Sequence, residues 1–536
     1  MAPTAEPPCP GIARGTLIIV LLLLHAISCG PTGQSASVEN APPVVVVALD
    51  GLSWQVAAPL MDEDGMPALT ALVRDGAAGQ LETIRPTWTP VIFTTMATGQ
   101  PPERHGVNTF VSEEGIPLTS NVRRVPALWN ILGDRGLPTL FFGWPVTWPA
   151  EPVTGEMISD RWHKSGERQV FPAELADVVA PRLETFRNAG VAVPAGLERL
   201  AGLASPDRVS RWLHGSFEGP GDTTAERTVQ PDRLVGLTRK KVETGFLWNV
   251  ALDSDVKLPL FLQRLRAVRP RLSAVYFNAT DMAQHFFGGA DRLGERCLPE
   301  RNLSGREAID ETYRVYDRLL GRLVAGVRGV EGYEDAVFVV LSDHGIDLAS
   351  PRRVRWNPPA GDSTKARRII QRLLAEGVVE TVETGSRPVD QGWQVIRFPD
   401  GGPMSVRSRA LNLLDQAGCT FHPDDTFIYF VHDEAPPGVV VISGGTVRPG
   451  RRLEDMSVND VAPTLLALLG LPAARDMCGA PAPLELSAGS GGPERTLSPK
   501  WIDSYGTTLP AGNGEAISSP EDAEIRGELR ALGYIE

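Results

Sequence analysis

The sequence predicts an α/β fold, a central and mostly parallel sheet flanked by helices. Three observations carry this. Four consecutive valines run into ALDG, with Asp50 at the end, and read as a strand buried on both faces. Helical and strand-like stretches alternate, as where VPALWNILGDRG is followed by LPTLFFGWP. Acidic residues stand at the ends of apolar runs, at Asp50, Asp281 and Asp343, where open α/β sheets place their ligands.

A chain of 536 residues implies one enlarged domain or two. Its 42% hydrophobic and 22% charged residues are ordinary globular composition. A net charge of −13 without a basic tract argues against a nucleic-acid polymer as a bulk partner.

At the amino terminus, Arg14 precedes TLIIVLLLL and then HAISCG. That apolar run is too short to span a bilayer but has the length of a secretory h-region. The small residues before Cys29 predict a signal peptide of lipoprotein type over 1–29, with Cys29 lipidated, although Ala26 stands where leucine is usual. An ordinary signal peptide or an uncleaved anchor is the alternative. The expected location is the bacterial cell envelope, with the membrane reached through the lipid anchor. Residues 30–42 read as a flexible tether. Beyond Cys9 and Cys29, only Cys297, Cys419 and Cys478 remain, too dispersed for a disulfide framework or a cysteine zinc site.

The main folded domain is expected over 43–485. Thr89 lies just ahead of a run of small and apolar residues, so a helix should begin near it. A hydroxyl there can cap the helix or face an anion. The patterning loosens over about 164–257, read as an inserted cap. It returns with FLQRLRAVRPRL as a helix and SAVYFNATD as a strand leading to Asp281. Ile309, Tyr316, Leu319, Leu323 and Val327 recur at helical intervals. DAVFVVLSDHG is another buried strand, ending in Asp343 and His344. About 349–425 is a second insertion; GVVVISGG and VNDVAPTLLALLGLP then give a strand and a helix. Residues 486–536 read as a flexible tail in which ELRALGYIE can dock as a short helix.

Five places carry chemistry: Asp50, Thr89, Asp281 with His285, Asp343 with His344, and His432. Aspartate and histidine four residues apart can reach one metal from a single helical turn. Each piece also has a plain reading. An aspartate after a strand is usually an N-cap, SDHG alone can be a turn, and a threonine before a helix is usually structural. The combination shifts the balance, because three of the pieces follow apolar strands and gather at one sheet edge. His105, in PERHG, reads as a structural or supporting residue. Trp88, Phe93, Trp144 and Trp148 belong either to the pocket wall or to the core.

Taken together, ALDG, PTWTP with TTMATGQPPERHGV, NATDMAQHFF, VVLSDHG, the histidine segment before PPGVVVISGG, and VNDVAPTLLALLGLP make the chain resemble the alkaline phosphatase superfamily. The branch it resembles is that of the type I phosphodiesterases and nucleotide pyrophosphatases. The resemblance implies an alkaline-phosphatase-like sheet with inserted cap regions. It also implies two divalent metal ions, zinc (Zn2+) with manganese (Mn2+) as the alternative. One would be held by Asp281, His285 and His432, the other by Asp50, Asp343, His344 and Thr89. Thr89 would be the nucleophile, through a phosphothreonine intermediate, on a phosphorylated small-molecule or lipid substrate. Thr89-Pro90-Val91-Ile92 lacks the cysteine or serine and the arginine of a sulfatase. The asparagine that nucleotide pyrophosphatases place after the HG motif has Asn108 as its nearest candidate, at an offset that matches poorly. Two competing functions share the chain: a phosphoryl or phosphoethanolamine transferase using the same site, and a non-catalytic surface lipoprotein.

Overall fold

The computed structural model describes residues 41–164, 166–189, 246–287, 305–345, 353–359, 363–384, 393–398, 410, 413–414, 417–421, 435–487, 495–497, 500–509 and 514–531. In chain order the strands are β1 (Val44–Leu49), β2 (Gly76–Glu82), β3 (Thr139–Phe142), β4 (Gly155–Ile158), β5 (Val170–Phe171), β6 (Leu272–Phe277), β7 (Val337–Leu341), β8 (Arg353–Asn357), β9 (Thr381–Thr384), β10 (Gln394–Arg397), β11 (Thr420–Phe421), β12 (Gly438–Ser443) and β13 (Arg451–Ser457).

Nine of them form one sheet in the order β13-β2-β12-β7-β1-β6-β3-β4-β5. The run β7-β1-β6-β3-β4 is parallel throughout, with β1 flanked by β6 and β7. The valine run is therefore the middle of the sheet. Its alternate residues face opposite ways: Val45, Val47 and Leu49 join one core, and Val44, Val46 and Ala48 the other. Helices Trp54–Asp62, Pro67–Arg74, Leu258–Val268 and Gly305–Arg328 pack on the first side. Helices Thr89–Thr98, Leu128–Gly133 and Val461–Leu468 pack on the second. The fold class is thus α/β with a large, mostly parallel central sheet. Its antiparallel members are β12, which runs against β7 and β2, and the edge strand β5.

The second insertion holds more order than its sequence suggests. Strands β8 to β11 form a separate antiparallel sheet, ordered β11-β8-β10-β9. Trp356, Ile370, Leu373, Ile396 and Phe398 give it a small core of its own, with helix Thr364–Ala375 across it. The carboxyl-terminal segment contributes two described elements. Trp501 and Ile502 pair with Ala473 and Ala474, and Asp522–Ala531 is a docked helix. Of the cysteines, Cys419 is buried and Cys478 exposed. Cys9, Cys29, Cys297, the signal segment and the tether lie outside the described residues. No helix among those residues is long and apolar enough to cross a membrane.

Candidate metal centre and cleft

The site lies at the carboxyl ends of β1, β6 and β7. Beyond β1 the chain turns at Gly51, whose φ of +64° suits glycine. A Cβ there would lie 3.0 Å from Cβ and Oδ1 of Asp281, so this turn and Asp281 touch. Asp281 follows β6 in the first turn of helix Ala279–Phe287, and His285 follows one turn later. Their spacing brings His285 Nε2 to 3.2 Å from Asp281 Oδ2. After β7, Ser342 Oγ donates to the Leu52 carbonyl at 2.7 Å and accepts from Val439 N at 2.9 Å. That pins the corner from which Asp343 and His344 project. Gly51 N donates to Asp343 Oδ1 at 3.2 Å, tying the β7 corner to the β1 turn.

Asp50, Asp343 and His344 converge, each offering one ligand atom, with all three atoms within 4.8 Å of one another. His344 Nε2 is 3.8 Å from Asp50 Oδ1 and 3.5 Å from Asp343 Oδ2. All three residues are buried, as are Asp281, His285 and Thr89. Burial first, then the charges of Asp343 and Asp281, raise the Asp50 pKa well above the ordinary carboxylate range; a hydrogen bond from Tyr276 works the other way. Three buried carboxylates with little cationic compensation are unfavourable, and a divalent cation removes the conflict. Asp50 Oδ1, Asp343 Oδ2 and Thr89 Oγ1 are buried with no hydrogen-bond partner among the described residues. Native interiors rarely leave such atoms unmatched. Hard oxygens with one or two imidazoles form a donor set suited to zinc or manganese. The residues fit a metal.

Thr89 is the first residue of helix Thr89–Thr98, which is buried along its whole length. Its buried hydroxyl has no hydrogen-bond partner among the described residues, and Thr89 lines a cavity of about 250 Å³ together with Asp50 and Asp281. His105 is fully buried behind this helix. Its Nδ1 accepts from Val107 N at 3.1 Å, which leaves Nε2 as the protonated nitrogen, donating to Thr95 Oγ1 at 3.0 Å. Burial, then the charge of Arg123, lower its pKa to about 4. His105 therefore acts as a neutral brace, in keeping with the supporting role its motif suggests.

Some residues are placed elsewhere. Asn108 is exposed and outside the cavity lining. His432 lies outside the described residues, so the structure places six of the seven ligand candidates. Phe93, Trp144 and Trp148 are core residues: Phe93 packs edge-on against Trp144, whose indole donates to the Phe93 carbonyl at 3.2 Å. The aromatic residues that do line the cavity are Phe110, Trp162 and Tyr276.

Sequence reasoning passed over two supports. Tyr276, the penultimate residue of β6, donates its phenol to Asp50 Oδ2. Gln284, on the helix that carries Asp281 and His285, donates to the Gly51 carbonyl at 2.7 Å. Its place in DMAQH, immediately before His285, was the only signal for it.

A family model, type I phosphodiesterase / nucleotide pyrophosphatase, matches residues 44–387. No curated protein matches the chain. Among solved structures, it is similar to murine ectonucleotide pyrophosphatase / phosphodiesterase 5, an inactive form in complex with AMP. Identity is 14% and the TM-score 0.39, over 81% of this chain and 96% of that one. It is also similar to a 2-O GAG sulfatase at 9% identity and a TM-score of 0.41, over 82% of this chain and 73% of that one. With the match running from the first valine of β1 past the Asp343–His344 corner, the chain belongs to the type I phosphodiesterase / nucleotide pyrophosphatase family.

Proposed function

We propose that the protein is an exported, metal-dependent phosphodiesterase or nucleotide pyrophosphatase-type hydrolase that uses Thr89 as its nucleophile. The observation that carries this is the buried Thr89 hydroxyl, without a hydrogen-bond partner among the described residues, on a residue that lines the same cavity as Asp50 and Asp281. Family membership supports hydrolysis of a phosphoric ester.

Asp50, Asp343, His344 and Thr89 would hold one divalent cation, and Asp281, His285 and His432 a second. Zinc is the preferred identity and manganese the alternative. Bound there, the two cations would supply Lewis acidity to the phosphoryl oxygens and lower the pKa of the attacking hydroxyl.

The chain's own residues account for the rest. Thr89 stands at the amino end of a ten-residue helix, where the helix dipole favours an anionic phosphoryl group. Its oxygen attacks phosphorus in line; the Oγ–P bond forms as the bond to the leaving oxygen breaks. The leaving oxygen departs as the alcohol, taking up the proton that the threonine hydroxyl gives up, and Thr89 is left carrying the phosphoryl group with its remaining ester arm. Water then attacks the phosphorus, the Oγ–P bond breaks, and the threonine hydroxyl is restored. Tyr276 keeps Asp50 oriented through its phenol. His105 keeps the helix in place through Thr95.

The test is metal content measured alongside hydrolysis of a chromogenic phosphodiester and its monoester counterpart. About two metal ions per chain, diester turnover lost on chelation, and loss of turnover in Thr89→Ala with metal retained are the expected results. Wild-type diester turnover by Thr89→Ala would remove Thr89 from the role. Export with lipidation at Cys29 is tested separately: a fatty-acid label and membrane fractionation should both be lost in Cys29→Ser.

A further inference from the structure

The carboxyl-terminal helix forms part of the wall of the cleft beyond the metal centre. Ile525, Glu528 and Leu529 line the same cavity as Thr89 and Asp50. The helix is held on both flanks of that cavity. On one side, Ile517 N donates to Thr119 Oγ1 at 3.2 Å and Arg526 Nη1 to the Gly115 carbonyl at 3.1 Å. On the other, Arg161 Nη1 lies 3.4 Å from Asp522 Oδ1 and Lys164 Nζ lies 3.0 Å from Glu524 Oε1, with Glu528 also on Lys164.

Among the described residues, the cations of the wall are all engaged. Arg161 faces Asp522, Lys257 lies 2.6 Å from Asp253, and Lys164 is shared by two glutamates. Burial alone would lower the Lys164 pKa, but Glu528 and Glu524 outweigh it and the net shift is upward. Between these pairs lie the apolar side chains of Phe110, Leu118, Val146, Met282, Ile525 and Leu529, beside the polar Asn249, Asn278, Asp160 and His163. An anionic group entering this end would meet lysine and arginine already neutralised and carboxylates of its own sign. An uncharged apolar group set against Phe110, Met282, Ile525 and Leu529 gains by taking apolar surface out of water.

We propose that helix Asp522–Ala531 is the specificity-determining wall of the cleft, its Ile525 and Leu529 receiving an apolar ester arm while Glu524 and Glu528 keep Lys164 from binding an anionic one. The preferred substrate class is then a singly charged phosphodiester with an uncharged, apolar arm. This rests on the phosphodiesterase reading above.

The experiment uses the metal-loaded full chain and two substrates. One is bis(4-nitrophenyl) phosphate; the other is the same diester with a carboxylate replacing one nitro group. Wild type is expected to show a KM at least about tenfold higher for the carboxylated ester, equivalent to roughly 1.4 kcal/mol. In E524Q/E528Q that ratio should fall below about threefold through a lower KM for the carboxylated ester, with kcat contributing little, and E524D/E528D should restore it. Leu529→Ala should raise KM for the uncharged diester. The same glutamate-to-glutamine pair built on Thr89→Ala should bind the carboxylated ester more tightly than Thr89→Ala alone, by calorimetry. Should the double variant lose its cooperative melt, E528Q alone gives the same shift in smaller measure. An unchanged KM ratio in glutamine variants that still turn over the uncharged diester overturns the proposal. A wild-type protein that holds metal yet hydrolyses neither ester overturns the phosphodiesterase reading instead, and the calorimetric comparison still decides the wall.

Discussion

His105 offers a quantitative test of how the nucleophile helix is held. Its ring is fully buried, and its pKa falls from 6.5 to about 4, through burial first and the charge of Arg123 second. The unfolded chain takes up a proton near pH 6.5 while the folded chain does not. Stability from this group is therefore present above that pH and lost as pH falls towards 4. The whole shift is worth about 3 kcal/mol at 1.36 kcal/mol per pKa unit, and about 2 kcal/mol of it is lost between pH 7 and pH 5. That window lies above the range in which most carboxylates titrate. The assay is urea unfolding of metal-free protein at pH 7 and pH 5, for wild type and His105→Gln. Glutamine removes the titration and retains an amide that can still reach Thr95. The wild type should lose about 2 kcal/mol more than the variant between the two pH values. Equal losses, within about 0.5 kcal/mol, would mean that the buried neutral ring is not what the fold requires at this position.

Three further outcomes follow from the centre itself. Tyr276→Phe removes the phenol from Asp50 and should weaken metal binding by about 10- to 100-fold, read by competition with a chromophoric chelator; unaltered affinity would count against the support. Gly51→Ala forces a positive φ on alanine and brings its Cβ to 3.0 Å from Asp281 Cβ. It should cost about 1–3 kcal/mol in unfolding free energy and lower metal stoichiometry, a native melt with full metal being the contrary result. Asp343→Asn removes one charge from a buried cluster and loses the carboxylate oxygen left unpartnered in the fold. Its metal-free form should be no less stable than wild type while its metal content falls, so a large loss of metal-free stability would point to a purely structural aspartate.

What was legible in the sequence follows the reach of each interaction. The valines of β1 announced a strand buried on both faces because four apolar residues in succession leave no solvent face, and β1 is indeed the middle of the sheet. Asp281 and His285 were legible because helical geometry alone puts them on one face. The direction of β12 was not, since GVVVISGG buries the same side chains whether it runs with or against β7. The small antiparallel sheet was hidden for a related reason: charged residues on its open face, such as Glu383 and Arg397, interrupt every apolar run. Tyr276 could be assigned to a strand but not to Asp50, because a period of two gives the face of a residue and says nothing of its neighbour across the sheet. The carboxyl-terminal helix is the extreme case, for Glu524 meets Lys164 across 360 residues of sequence. The groups that would do chemistry sit in short motifs because strand ends and helix turns deliver them locally. The groups that would choose the substrate are brought together only by the completed fold, so their variation leaves the motifs intact. A chain can then keep ALDG, PTWTP and SDHG and still differ from its relatives in what enters the cleft.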